Sequence, residues 1–278
     1  EKIKDFGWRA VHEMTLKAKA ITAAYYGMQP KRSYFASCSD GGREALMEAQ
    51  RFPQDYDGIL AGDPANDWTH LLAAAMWDVH DMFETADSYI PARKVPAIAA
   101  AVRAACDAQD GVRDGVLNDP RTCRFDPETI LCKHGDANSC LLPAQVETIR
   151  SIYAGPRDAT GKQIFPGYLP GAEDGPGGWI PWITGPAPHE SMFYFFSVGY
   201  FSNFVYEKRN WDYHNYNLDQ ALSLADKKTA LALNATDPDL KPFFAHGGKL
   251  IIYHGWNDPA IPALSTVDYY HAVVNRLG

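Results

Sequence analysis

Apolar residues recur at Val11, Met14, Ala18, Ile21 and Tyr25, spacings of three and four that place them on one face of a helix running from Phe6 to Tyr26. Gly27 and Pro30 stop it. The short apolar-leaning run Arg32 to Ser37 predicts a strand, and Cys38-Ser-Asp-Gly-Gly42 then leads into the helix-prone stretch Arg43 to Arg51. After Phe52-Pro53, the run Tyr56 to Gly62 predicts a second, buried strand. Helix and strand alternate here as they do in parallel α/β sheets.

That rhythm breaks after Pro64. Residues 65–246 hold four clustered cysteines, many Gly and Pro residues and an aromatic-dense stretch, which read together as an inserted subdomain. The α/β pattern resumes at Lys249 to His254, a predicted strand, and continues through Gly-Trp-Asn-Asp258 to a helix over Ala263 to Leu277. The expected organisation is therefore a core in two parts, 1–64 and 247–278, around an insertion at 65–246. No repeat that would make a solenoid is visible.

Composition narrows the class. A chain of 278 residues, 46% of them hydrophobic, can bury a sizeable core. Its net charge of −8, with no cluster of Lys or Arg to reverse it locally, argues against nucleic acid as a partner. No run of about 18 apolar residues predicts a membrane span. Glu1 to Phe6 is charged where a secretory signal needs an apolar stretch. Clustering of Cys106, Cys123, Cys132 and Cys140 points to disulfides made in an oxidising compartment. Proximity pairs Cys106 with Cys123 and Cys132 with Cys140, and the competing zinc reading finds no CxxC spacing to support it. Cys38 is left over, either as a buried free thiol or with a partner on sequence outside these residues.

Ser39 sits between a predicted strand and helix, with Gly41 and Gly42 permitting a tight turn, as a nucleophile elbow requires. Ser37 stands where the first Gly of G-x-S-x-G usually lies, and a plain serine N-cap competes with the catalytic reading. The backbone N–H of Asp40, at the helix start, is a candidate oxyanion donor. Asp258, just past the later strand, occupies the place from which such folds present the acid that orients a catalytic His. His271 follows Asp258, but within a predicted helix, which makes it a poor base. His254 ends the strand and is a candidate substrate contact. The side chains of Asp40, Asp55, Asp57 and Asp63 read as turn and surface carboxylates.

Two further segments carry chemistry. Asp107, Asp110 and Asp114, with the carbonyls of Val112 and Val116 between them and Gly111 and Gly115 freeing the backbone, offer hard oxygen ligands that suit Ca²⁺ in a structural role. A solvated acidic turn is the alternative. Thirteen aromatic residues from Trp179 to Tyr216 are too dense for a surface loop, so most belong to a core, with a minority free to line a cleft.

Taken together, Ser33 to Arg43, Glu48 to Pro53, Tyr56 to Ala65, the acidic loop and His254-Gly-Trp-Asn-Asp258 resemble the tannase and feruloyl esterase family from about Asp5 to Leu277. The resemblance implies an α/β-hydrolase core with a large lid, export to a secreted or periplasmic location, and hydrolysis of small aromatic esters through an acyl-enzyme. It places the nucleophile at Ser39, the triad acid at Asp258 and one oxyanion donor at the Asp40 N–H. It also places a lid Ca²⁺ at Asp107, Asp110, Val112, Asp114 and Val116. In that family the cysteine before the nucleophile is bonded to one directly after the catalytic His, which implies that this His and the partner of Cys38 lie beyond Gly278. Strands and a second oxyanion donor are likewise expected ahead of Phe6, so the chain reads as a fragment. A serine peptidase of the same fold and a catalytically silent, calcium-stapled binding protein are the competing readings.

Overall fold

In the computed structural model, which describes residues 1–171 and 173–278, the chain divides into two compact units. Glu1–Thr69, Ala225–Gly255 and Ser265–Gly278 make the first, and His70–Leu224 with Trp256–Leu264 the second. The principal elements are α1 (Ala10–Tyr26), β1 (Tyr34–Cys38), α2 (Asp40–Arg51), β2 (Gly58–Gly62) and α3 (Trp68–Met82). They are followed by α4 (Val95–Cys106), α5 (Pro143–Ala154), α6 (Met192–Tyr200), α7 (Leu218–Ala225), β3 (Lys249–Tyr253) and α8 (Ala263–Leu277).

The first unit is built on a parallel sheet of order β1-β2-β3, with Tyr34 opposite Gly58 and Gly58 opposite Lys249. Parallel strands need crossovers, and α2 supplies the one between β1 and β2. Ala45, Leu46, Met47 and Ala49 of α2 pack against Ile59 and Ala61 of β2, with Tyr56, Leu240, Phe243 and Tyr269 completing the core. Phe35, Leu250 and Ile252 add the inward positions of the outer strands. The opposite face presents Tyr34, Leu60, Ile251 and Tyr253 in exposed positions, so β2 is buried on one face rather than on both.

Helix α1 forms where the apolar spacing predicts it, and Gly27 ends it in the left-handed region at φ 71°. Which face it buries is different. Met14, Ile21 and Tyr25 are exposed, while Thr15 is buried. The inward face is tied down by polar contacts: His12 meets Asp55 at 2.6 Å, the Thr15 and Tyr56 hydroxyls bond one another, and Lys19 donates to the Asp55 carbonyl. These bonds orient the helix against the direction of its apolar stripe.

The second unit holds the two disulfides, Cys106–Cys123 and Cys132–Cys140. Helix α4 buries Val95, Ile98, Ala99 and Val102, a helical spacing, and delivers Cys106 to its bond at the helix end. Of the aromatic stretch, Trp179, Phe193, Tyr200, Phe201, Tyr213 and Tyr216 are buried, whereas Phe195 and Phe196 are exposed. Among the described residues no helix is long and apolar enough to cross a membrane.

Candidate active site

The turn between β1 and α2 puts Ser39 at φ 63° and ψ −122°, a conformation that L residues adopt only when the surroundings impose it. The surroundings do so through the main chain. Ser39 N–H donates to the Gly62 carbonyl at 3.0 Å, and the Ser39 carbonyl accepts from the N–H groups of Gly42, Arg43 and Ala65. Both glycines are required by close approach. A Cβ at Gly41 would lie 1.9 Å from Ser37 Oγ, and one at Gly42 would lie 2.3 Å from the Gly62 carbonyl oxygen and 2.8 Å from Pro64 Cα. Ser37, the departure from the usual motif, is thus the residue against which Gly41 packs. Since the neighbours of Gly42 are main chain, Gly42→Ala is expected to destabilise the protein by about 2–3 kcal/mol, read as a lower midpoint in denaturant.

Asp40 opens α2, and its carboxylate accepts from Arg43 Nε at 2.6 Å. Arg43 is fully buried, a position that no hydrophobic pattern predicts. Its guanidinium donates to the carbonyls of Gly7 at 2.8 Å, Phe6 at 3.3 Å and Leu233 at 3.5 Å, and it lies over the rings of Phe6 and Trp68. The helix that begins at the nucleophile is thereby anchored to two distant segments.

At the carboxyl ends of the strands the structure corrects the reading of two carboxylates. Asp63 is no ordinary surface group: at φ 40° it follows β2, its Oδ1 accepts the Gly255 N–H at 2.7 Å, and its Oδ2 accepts the Cys38 thiol at 3.3 Å. It ties the ends of all three strands, in the region where parallel sheets place their ligands. Burial and the Asp63 carboxylate push the Cys38 thiol up from its ordinary pKa. The residue as a whole is exposed and has no disulfide partner within residues 1–278, which removes the reading of Cys38 as a buried thiol. Asp55 is buried, not a surface turn residue, and pairs with His12. The cue for both was weak, since an Asp beside Pro or Gly reads as a turn in any sequence.

The His254 side chain is nearly buried, its Nδ1 2.7 Å from Thr266 Oγ1 and its Nε2 3.8 Å from the Asp63 carboxylate. His271 is exposed on α8. Asp258 belongs to the second unit, where its Oδ1 accepts the N–H groups of Ala260 at 2.7 Å and Ile261 at 3.1 Å, which orients the carboxylate.

In the acidic loop of the second unit, each aspartate accepts from the loop's own backbone. Asp107 bonds Gly115 N–H, Asp110 bonds Val112 and Asn118, and Asp114 bonds Val116. Gly111 and Gly115 take positive φ of 93° and 83°, as a loop curled on itself requires. The sets of three His or acidic side chains close enough to share a cation lie elsewhere among the described residues.

A serine held at positive φ between a parallel strand and the helix that follows it defines an α/β-hydrolase core. The chain belongs to the tannase and feruloyl esterase family, whose match runs over residues 1–278. It is 39% identical to an uncharacterized esterase of Xanthomonas campestris, over 99% of this chain and 50% of that protein. The crystal structure of feruloyl esterase B from Aspergillus oryzae superposes with a TM-score of 0.89 at 26% identity, covering 99% of this chain and 54% of that one. Tannin acyl hydrolase from Aspergillus niger superposes at 0.80, also at 26% identity, over 98% and 52% of the two chains. The chain spans about half the length of the relatives it matches.

Proposed function

We propose that the protein is a serine esterase that hydrolyses carboxylic esters of aromatic acids. The observation that carries this reading is Ser39 at positive φ between β1 and α2. Family membership directs the chemistry to esters. Ser39 attacks the ester carbonyl, the Asp40 N–H at the start of α2 stabilises the oxyanion, and Asp258 holds the general-base histidine in its useful tautomer. We place that base in the part of the family's length that this chain does not span, because His254 is nearly buried and His271 is exposed on a helix. Of the insertion expected over residues 65–246, the part from His70 to Leu224 is assigned as the lid, since Leu240 and Phe243 pack into the core of the first unit. Its exposed Phe195 and Phe196 are of the type that stacks on an aromatic acid, and His254 is assigned as a substrate contact.

The decisive experiment measures hydrolysis of methyl ferulate and methyl gallate by the product of the complete reading frame, with a phosphonate as active-site label. Turnover with stoichiometric labelling of Ser39 supports the esterase, and the ratio of the two rates assigns the acid. Absence of both supports the catalytically silent binding protein, and turnover of peptide amides in preference to esters supports the peptidase.

The acidic loop is proposed to hold a structural Ca²⁺ through Asp107, Asp110 and Asp114 and the carbonyls of Val112 and Val116. Its donors are hard oxygens, and Cys106–Cys123 closes the segment around them. Adding Ca²⁺ to metal-stripped protein is expected to raise Tm by roughly 5–10 °C, with no such rise in Asp110→Asn. The two disulfides fit an oxidising compartment, and we assign the protein to a secreted or periplasmic location.

A further inference from the structure

The inward face of α1 meets α2 and the turn ahead of β2 at a second cluster of ionisable groups, all within the first unit. His12 on α1, Glu48 on α2 and Asp55 in the turn each bring one ligand atom into a common space, the three atoms lying within 4.8 Å of one another. His12 Nδ1 is 2.6 Å from Asp55 Oδ2, and the imidazole stacks on Phe52 at 3.7 Å between ring centres, which fixes its plane. Glu48 forms the floor. It is fully buried, and neither of its carboxyl oxygens has a hydrogen-bond partner in the chain. Leaving such a group unsatisfied costs on the order of several kcal/mol, so the cluster is relieved either by a proton shared between Glu48 and Asp55 or by a cation held among the three groups.

The neighbouring charges sharpen this. Asp55 and Glu44 add negative charge around Glu48. The ammonium of Lys19 is turned to the Asp55 main-chain carbonyl and the face of Tyr56, and pairs with neither carboxylate. Solvent reaches the cluster at its rim, where the His12 and Asp55 side chains are 22% and 10% exposed, leaving an open side for water ligands. We propose that His12, Glu48 and Asp55 bind a divalent transition-metal cation of the Zn²⁺ or Mn²⁺ type. One imidazole with two carboxylates suits such borderline ions, whereas Ca²⁺ asks for six to eight oxygens. The bound ion joins α1, α2 and the turn before β2, and so braces the helix that starts at Ser39. It takes no part in ester hydrolysis and is separate from the calcium loop of the second unit.

The test uses metal-stripped protein, reloaded with Zn²⁺ or Mn²⁺ and freed of excess by gel filtration, with bound metal counted by mass spectrometry and Tm recorded. One retained equivalent and a rise in Tm of roughly 5 °C are expected. Glu48→Gln and His12→Gln should each weaken binding at least about tenfold and abolish the rise, while a change at the exposed Asp87, Asp87→Asn, alters neither. Absence of retained metal overturns the proposal, the two carboxyl groups then sharing a proton instead, and so does unchanged affinity in both variants. Should the variants fail to fold, X-ray absorption of the Zn²⁺-loaded wild-type protein decides. A shell of oxygen and one imidazole supports the site, and a sulfur neighbour, which points to Cys38, overturns it.

Discussion

Ser39→Ala is expected to cost the complete protein on the order of 10⁵ in kcat for its ester substrate, with Tm essentially unchanged. The separation of the two effects follows from the local geometry. Positive φ at residue 39 is imposed by four main-chain hydrogen bonds, from Ser39 N–H to Gly62 and from Gly42, Arg43 and Ala65 to the Ser39 carbonyl, all of which alanine retains. Alanine also meets the same backbone strain as serine, because both carry a Cβ. The Ser39 side chain does not cap the backbone of α2, so deleting its hydroxyl leaves that helix end as it was. Steady-state kinetics and a thermal melt on one preparation check this. A large fall in Tm would mark Ser39 as a structural cap, and an unchanged kcat would remove it from the mechanism.

Arg43→Met should produce the largest loss of stability, about 3–5 kcal/mol, seen as a drop in Tm of roughly 10 °C or more. The methionine fills most of the space but donates nothing. The carbonyl of Gly7 then loses its donor in a buried setting, the Phe6 carbonyl and the partly exposed Asp40 carboxylate lose theirs nearer the surface, and the cation leaves the faces of Phe6 and Trp68. Lysine cannot serve as a substitute, since a single ammonium does not span three acceptors held by a planar fork. Arg43→Lys is therefore expected to recover only a minor part of the loss. Because Asp40 supplies the proposed oxyanion N–H, residual activity in Arg43→Met should fall more than the folded fraction does. A variant as stable as wild type would show that the guanidinium is dispensable.

Both predictions rest on contacts of very different sequence range, and that difference separates what could be read early from what could not. The elbow is local: strand, serine, two glycines and helix lie within Tyr34 to Arg51, and their order alone points to a nucleophile turn. The neighbouring cysteines of each disulfide are 17 and 8 residues apart, close enough for proximity to indicate them. The strands at Tyr34–Cys38, Gly58–Gly62 and Lys249–Tyr253 follow from short apolar runs, and a parallel sheet follows from their alternation with helices.

The sequence by itself thus determined the strands and flanking helices of the first unit and the turn that holds Ser39, because each depends on neighbours within a turn or two of chain, and the family through motifs spread from Ser33 to Asp258. Only the tertiary structure decided which face of α1 is buried, that Arg43 is an interior anchor, that Asp63 gathers the strand ends and that Glu48 faces Asp55 and His12. His12 meets Asp55 across 43 residues, Arg43 reaches Gly7 across 36 and Leu233 across 190, and Asp63 holds Gly255 across 192. A polar residue is buried when its partners are already waiting in the folded chain, and hydropathy along the sequence carries no record of where those partners stand.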